Sequence, residues 1–173
     1  ETFNGNDRTI KPKGEKKGRG YGHKHKVLAL VDRSTGKARM MVVDTLSAKA
    51  LTPILNENIA KEARVMTDDA KYYNWMNDSF AEHSVVEHSK GEYGRGEVHT
   101  NTIEGFFSVF KRGMKGVYQH CGKRHLHRYA AEFNFRYDNR SSNGVEDQER
   151  AEIALKGIGG KRLTYRRPHP ELG

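Results

Sequence analysis

Apolar positions along this chain switch between a period of two and a period near 3.6, and the switches mark its elements. His25 to Val31 reads as a buried strand, Arg33-Ser-Thr-Gly36-Lys37 as a tight turn shaped by Asp32, and Ala38 to Val43 as the antiparallel partner of a hairpin. Ser47 has the chemistry of an N-cap for a helix reaching about Ala60, interrupted early by Pro53. Ala63 to Thr67 is a short strand with Asp68 and Asp69 at its carboxyl end, Asp69 being placed to cap the next segment. Lys71 to Met76 is helical and carries Tyr72, Tyr73 and Trp75, an aromatic set that reads as core, and Ser84 to Glu87 supplies a further strand. A glycine-rich loop, Ser89 to Thr100, precedes a long amphipathic helix. Another runs from about Lys123 to Tyr137, with Leu126, Tyr129, Ala130, Phe133 and Tyr137 at core spacing, and Glu146 to Leu155 forms the last. The order is mixed α/β in one domain, with the acidic pair at a strand end, where open α/β sheets place their sites.

The helix after the loop is the most informative element. Steps of three, four and three put Asn101, Glu104, Ser108 and Lys111 on one stripe, while Ile103, Phe106, Phe107, Phe110 and Met114 gather on its neighbour. A carboxylate fixed on such a helix can hold a divalent cation, and a lysine two turns on can hold a phosphate. An ordinary amphipathic helix with solvated polar residues fits the same spacing.

Size and charge narrow the classes. A chain of 173 residues suits one domain, and 31 Lys and Arg against 22 Asp and Glu leave a net charge of +9. The cations gather at the ends: eight lie between Arg8 and Lys26 with a single acid, Glu15, and Lys161, Arg162, Arg166 and Arg167 form a second group. Clustered cations gain counterion-release free energy on a phosphate backbone, so a nucleic acid is the leading partner. Residues 4–24, rich in glycine and lysine, read as a flexible basic loop that orders on DNA. Cys121 is the single cysteine, which excludes an internal disulfide and fits a reducing cytoplasm. Cys121 with His120, His125 and His127 lacks the paired spacing of a zinc site. No apolar run approaches the ~20 residues of a membrane span, and the basic start does not resemble a secretory signal. The opening Glu1, without a methionine, reads as the start of an excised domain.

Asp68 at a strand end and Glu104 on a helix together suggest a carboxylate cluster for one or two divalent cations. A third carboxylate is required, and Asp32 and Asp44, at strand ends beside turns, are the candidates within the hairpin. Several segments then carry a family resemblance: Glu1-Thr-Phe-Asn-Gly5, Thr67-Asp68, His83 with Glu87-His88-Ser89, His99-Thr-Asn-Thr-Ile-Glu-Gly-Phe-Phe-Ser108 with Lys111-Arg112, Glu132-Phe-Asn-Phe-Arg136-Tyr, and Arg162-Leu-Thr-Tyr165. On these residues the chain resembles the catalytic domain of DDE-type bacterial insertion-sequence transposases, in the ISXO-two-like branch.

The resemblance implies an RNase H-like mixed sheet, an antiparallel hairpin plus parallel strands, flanked by helices. It implies Asp68 as the second catalytic acid and Glu104 as the third, with Asn101 the alternative because some relatives use Asn there. An anionic oxygen suits a hard cation better than an amide, which favours Glu104. The first aspartate of the family precedes the Glu-Thr-aromatic segment and so is expected ahead of Glu1. Mg2+ or Mn2+ is the implied cofactor, held by Asp68 and Glu104. Lys111 is implied to contact DNA phosphate near the cleaved bond, and Arg112, Lys16, Lys17, Arg19 and Lys24 to position the backbone. His99 is a candidate for active-site support or for a structural hydrogen bond. Phe106-Phe107 stands where relatives often have Phe-Trp, a packing change.

The implied reaction is cleavage of transposon ends by water, then attack of the freed 3′ hydroxyl on target DNA. The expected setting is the bacterial nucleoid, with a homo-oligomer in the active complex. Two rivals keep part of this reading: another RNase H-like nuclease, and a catalytically inactive DNA-binding remnant. A basic structural or RNA-binding protein is a third, and it predicts that Asp68 and Glu104 lie far apart.

Overall fold

The computed structural model describes residues 2–4, 24–119 and 121–160. Lys16, Lys17 and Arg19, most of the basic loop, His120, the second basic group and the Arg162-Leu-Thr-Tyr165 segment lie outside the described residues. Two compact units are present, Glu1–Asp138 and Asn139–Gly173.

In the first unit, β1 (Thr2–Asn4), β2 (His25–Asp32) and β3 (Lys37–Val43) form an antiparallel sheet in that order. The hairpin that the sequence predicts is present, its register running from Lys26 against Val43 to Asp32 against Lys37. Asp32 shapes the turn: its Oδ1 accepts from the Ser34 amide at 2.8 Å and the Ser34 hydroxyl at 2.7 Å, and its Oδ2 from the Thr35 hydroxyl at 2.6 Å. These hydrogen bonds, Thr35's foremost, hold the Asp32 carboxyl down at about 2.

Alternation along β2 and β3 sends successive side chains to opposite faces, and both faces are covered. Val27, Ala29, Ala38 and Met40 pack with Phe106, Phe107, Phe110, Leu126 and Phe133 of helices α2 (Asn101–Gly113) and α3 (Lys123–Asp138). Leu28 and Val43 pack on the other side with Leu51 and Leu55 of α1 (Ala48–Asn58) and with Tyr73, Met76 and Phe80. The result is helices on both faces of a central hairpin. Ser47 caps α1 by accepting from the Ala50 amide, and Pro53 sits inside a helix that continues to Asn58 instead of interrupting it.

A parallel pair, β4 (Arg64–Asp68) and β5 (Glu82–Val86), completes the strands. β5 starts two residues before the expected Ser84, because Glu82 pairs with Arg64 at 2.7 Å and opens the register with a polar contact that hydrophobic patterning passes over. Antiparallel hairpin and parallel pair are both present, but among the described residues they hydrogen-bond as two sheets, not one mixed sheet. Lys71–Asp78 is 3-10 rather than α-helical, with Tyr73 in the core as expected.

α2 does not stop at Gly113 but widens into a π-helical turn, Met114–Tyr118, that leads to α3. Gly113 is required there, since a Cβ would come within 2.4 Å of the Phe133 ring. In the second unit, a short 3-10 turn at Ser141–Asn143 precedes α4 (Asp147–Lys156), and Arg150 ties them by donating to the Asn139 carbonyl at 2.6 Å and to Asp147 at 2.7 Å.

Candidate functional site

Parallel pairing places the carboxyl ends of β4 and β5 side by side, with Asp68 opposite Val86. Each strand therefore delivers its following residues to the same edge: Asp69 after β4, and Glu87, His88 and Ser89 after β5. Asp69 Oδ2 accepts from the Ser89 amide at 3.2 Å. Hydrogen bonds from Ser89, with a smaller contribution from the nearby His88, pull the Asp69 carboxyl below its ordinary range. Asp68 Oδ1 instead accepts from the Ala70 amide at 3.2 Å. The cap that the sequence expects from Asp69 is not made: Lys71–Asp78 starts at Ala70 without a side-chain cap bond, and Asp68 instead closes the turn ahead of it, two residues of reach being what such a turn needs.

The amino end of α2 meets this edge. His88 Nε2 lies 3.0 Å from the Thr100 hydroxyl and 3.3 Å from Glu104 Oε1, and the Thr100 hydroxyl donates to the same Oε1 at 2.6 Å. Thr100 has one hydroxyl hydrogen and spends it on a carboxylate that can only accept, so toward His88 it must accept. Nε2 of His88 therefore carries a proton. Thr100 itself is buried, 7% exposed, whereas the Glu104 side chain is 55% exposed and its Oε2 takes no hydrogen bond from a described residue. Glu104 also stands in the first turn of its helix, where the helix dipole favours a negative charge.

A ladder of contacts thus joins Asp69, Ser89, His88 and Glu104 across three segments far apart in the chain. Asp68 is its immediate neighbour through Asp69. Asn101 is the exposed first residue of α2, and Lys111 and Arg112 are exposed in its last turn, roughly 10 Å along the axis from Glu104 at about 1.5 Å per residue. Lys24 is half-buried just before β2, and its carbonyl accepts from Lys26. Asp44 pairs with Lys123 at 2.9 Å and Asp32 is consumed by its turn.

Two other histidines hold the surroundings. His83 bridges the Thr67 hydroxyl at 2.9 Å and the Asn77 side chain at 2.6 Å, and burial lowers its pKa. His99 Nε2 lies 2.9 Å from the Arg33 guanidinium, which also donates to the Glu97 carbonyl at 2.9 Å. His99 so pins the loop before α2 to the hairpin turn. Sequence reading missed Thr100, since a threonine ahead of a helix looks like a cap; here its hydroxyl serves the Glu104 side chain and makes no cap bond.

Asp68 and Glu104 offer hard oxygen donors of the kind that divalent magnesium or manganese prefers. Among the described residues no group of three or more His, Cys, Asp or Glu side chains is close enough to hold a metal ion. No helix among them is long and apolar enough to cross a membrane.

A mixed α/β domain whose acids gather where a parallel pair ends against a helix start is the class that the fold defines. The chain belongs to the ISXO2-like transposase domain family, which it matches over residues 1–138. No curated protein and no solved structure matches it.

Proposed function

We propose that this domain is the catalytic domain of a DDE-type transposase with an RNase H-like arrangement, cutting DNA at the ends of an insertion sequence and joining the freed 3′ ends to target DNA. One observation carries the reading: the Asp69-Ser89 and His88-Glu104 contacts bring the end of β4 to the start of α2. Separation of those two elements would have left Glu104 as a solvated helix residue.

Asp68 and Glu104 are the residues that would hold Mg2+ or Mn2+, with Asn101 the alternative to Glu104. Such an ion, when bound, lowers the pKa of a coordinated water and neutralises charge developing at phosphorus. The chain's own groups do the rest. Thr100 and His88 fix the Glu104 carboxylate by donating to one oxygen and leave the other facing solvent. Lys111 and Arg112 extend toward a phosphate backbone laid along α2, where they position the strand without reading its sequence. DNA is the partner, and a homo-oligomer is the expected active form.

The test is strand cleavage of a labelled transposon-end duplex by the protein with Mg2+ or Mn2+, compared with Asp68→Asn and Glu104→Gln. Loss of cleavage in both variants with retained duplex binding supports the reading, and cleavage that survives both substitutions ends it. A second reading, an inactive DNA-binding remnant, draws on the lack of a three-ligand group among the described residues. It predicts salt-sensitive binding with no cleavage under any divalent cation.

A further inference from the structure

The corner where α2 turns into α3 carries a charge pattern separate from the acidic edge. From Gly105 to Ala131 the sequence holds six Lys or Arg, three His and no Asp or Glu. Lys111, Arg112, Lys115, Arg124 and Arg128 are all exposed and form no ion pair with a described residue. Lys123 differs, being held by Asp44. Arg124, His127 and Arg128 follow i, i+3, i+4 spacing and so share the outer stripe of α3, opposite the buried Leu126, Ala130 and Phe133.

The acid that borders this surface is already neutralised. Glu132 accepts from the Tyr118 hydroxyl and from Arg136 Nη2 at 2.8 Å. Packing braces the same corner: Tyr118 lies against Tyr129 with ring centroids 4.5 Å apart and planes tilted by 56°, and Gly113 lies flush against Phe133. Gln119 closes the turn at φ 52°, a backbone conformation that costs a non-glycine residue about 1–3 kcal/mol and is kept only where its surroundings impose it. Five cations that pair with no described residue, on one braced frame and with no acid between them in the sequence, suit a polyanion of regular spacing.

We propose that this corner is a second DNA contact, gripping the duplex backbone to one side of the acidic edge. Glu104 and Lys115 are eleven residues apart along nearly continuous helix, so about 16 Å separates them at about 1.5 Å per residue. That distance corresponds to roughly five phosphates along one strand at about 3.4 Å each. The inference rests on the proposed reading that DNA is the substrate, and it adds a contact that Lys111 alone does not provide.

The experiment measures duplex affinity from 50 to 300 mM salt for the wild-type protein, for a Lys115→Glu/Arg124→Glu/Arg128→Glu variant, and for the milder Arg124→Gln/Arg128→Gln pair. Circular dichroism checks that each is folded, and a hydroxyl-radical footprint is taken on the same duplex. At 100 mM salt the triple variant should bind at least 10-fold more weakly, with a salt slope shallower by about 2–3, roughly one per lost phosphate contact. Its footprint should lose one protected patch and keep another. A folded pair variant with unchanged affinity, slope and footprint overturns the corner contact while leaving the transposase reading standing. A wild-type protein that binds no duplex at all sinks both.

Discussion

His88 Nε2 sits 3.3 Å from Glu104 Oε1 while the Thr100 hydroxyl, 3.0 Å from the same nitrogen, donates to that same oxygen. Sixteen residues separate the histidine from the glutamate, and the contact is what locks the strand ends to the helix start. One oxygen of Glu104 is thereby fixed, while the side chain as a whole stays 55% exposed.

This predicts a graded response in the cleavage assay. His88→Ala and Thr100→Val each leave Glu104 in place but remove a group that orients it, and residues of this kind typically contribute 10–100-fold to activity. Cleavage should fall by that range in each single variant with duplex affinity unchanged. The double variant should fall little further than the worse single, because both act through one carboxylate. Full additivity of the two losses would show that His88 and Thr100 work independently.

Asp32 gives a pH prediction whose sign is set by its direction of shift. Its folded pKa, about 2, lies below the ordinary aspartate value of 3.8, so the unfolded chain takes up the proton first as pH falls. The carboxylate's contribution is complete above about pH 4 and is lost progressively toward pH 2. Because the turn is exposed, solvent screening limits it to about 1 kcal/mol or less. Urea unfolding of wild type and Asp32→Asn between pH 2 and pH 6 should show two curves that converge at the acid end; a constant gap would place the effect in turn geometry and not in charge.

Gly113 predicts a rescue. Alanine is ordinarily the better helix residue by about 1 kcal/mol, yet here the new Cβ would meet the Phe133 ring at 2.4 Å. Overpacking of that kind typically costs about 1–3 kcal/mol, so Gly113→Ala should be a net loss. Adding Phe133→Leu should return part of it, giving a coupling of opposite sign to the two single effects. Strict additivity in the thermal melts would mean that the helix-to-ring distance relaxes freely.

Much of this architecture was legible in the sequence, and the reasons are local. The hairpin announces itself through a run of strand formers around Asp32-Arg-Ser-Thr-Gly36, and α2 through a phenylalanine stripe that has nowhere to go but a core. The placement of Asp68 at a strand end and of Glu104 on a helix was legible for the same reason. What was not visible depends on contacts between distant segments. That Asp69 holds the Ser89 amide instead of capping the next helix depends on where Ser89 arrives, twenty residues on. The π turn after Gly113 has no composition of its own, and the basic corner around it was overshadowed by denser charge at the chain ends.

The pairing of Asn134 and Asp138 belongs to that second kind, and it yields the last prediction. On a helix, two polar residues four apart read as a solvated face, but here both point at the outer edge of β3: Asn134 Oδ1 accepts from the Met40 amide at 2.8 Å, and Asp138 Oδ1 from the Ala38 amide at 2.7 Å. Both strand residues are buried, so each amide would otherwise face a desolvated surface. Two side chains thus do for this edge what another strand would do. Replacing either acceptor by leucine should cost about 1–3 kcal/mol, the usual penalty for an orphaned buried donor. Asp138→Asn keeps an acceptor oxygen and should recover most of that loss, which separates the hydrogen bond from the charge. The Asn134→Leu/Asp138→Leu variant should in addition self-associate with rising concentration, since an open strand edge is a template for another chain. Urea midpoints that do not distinguish Asp138→Leu from Asp138→Asn, together with a monodisperse double variant, would show that α3 covers β3 by packing alone.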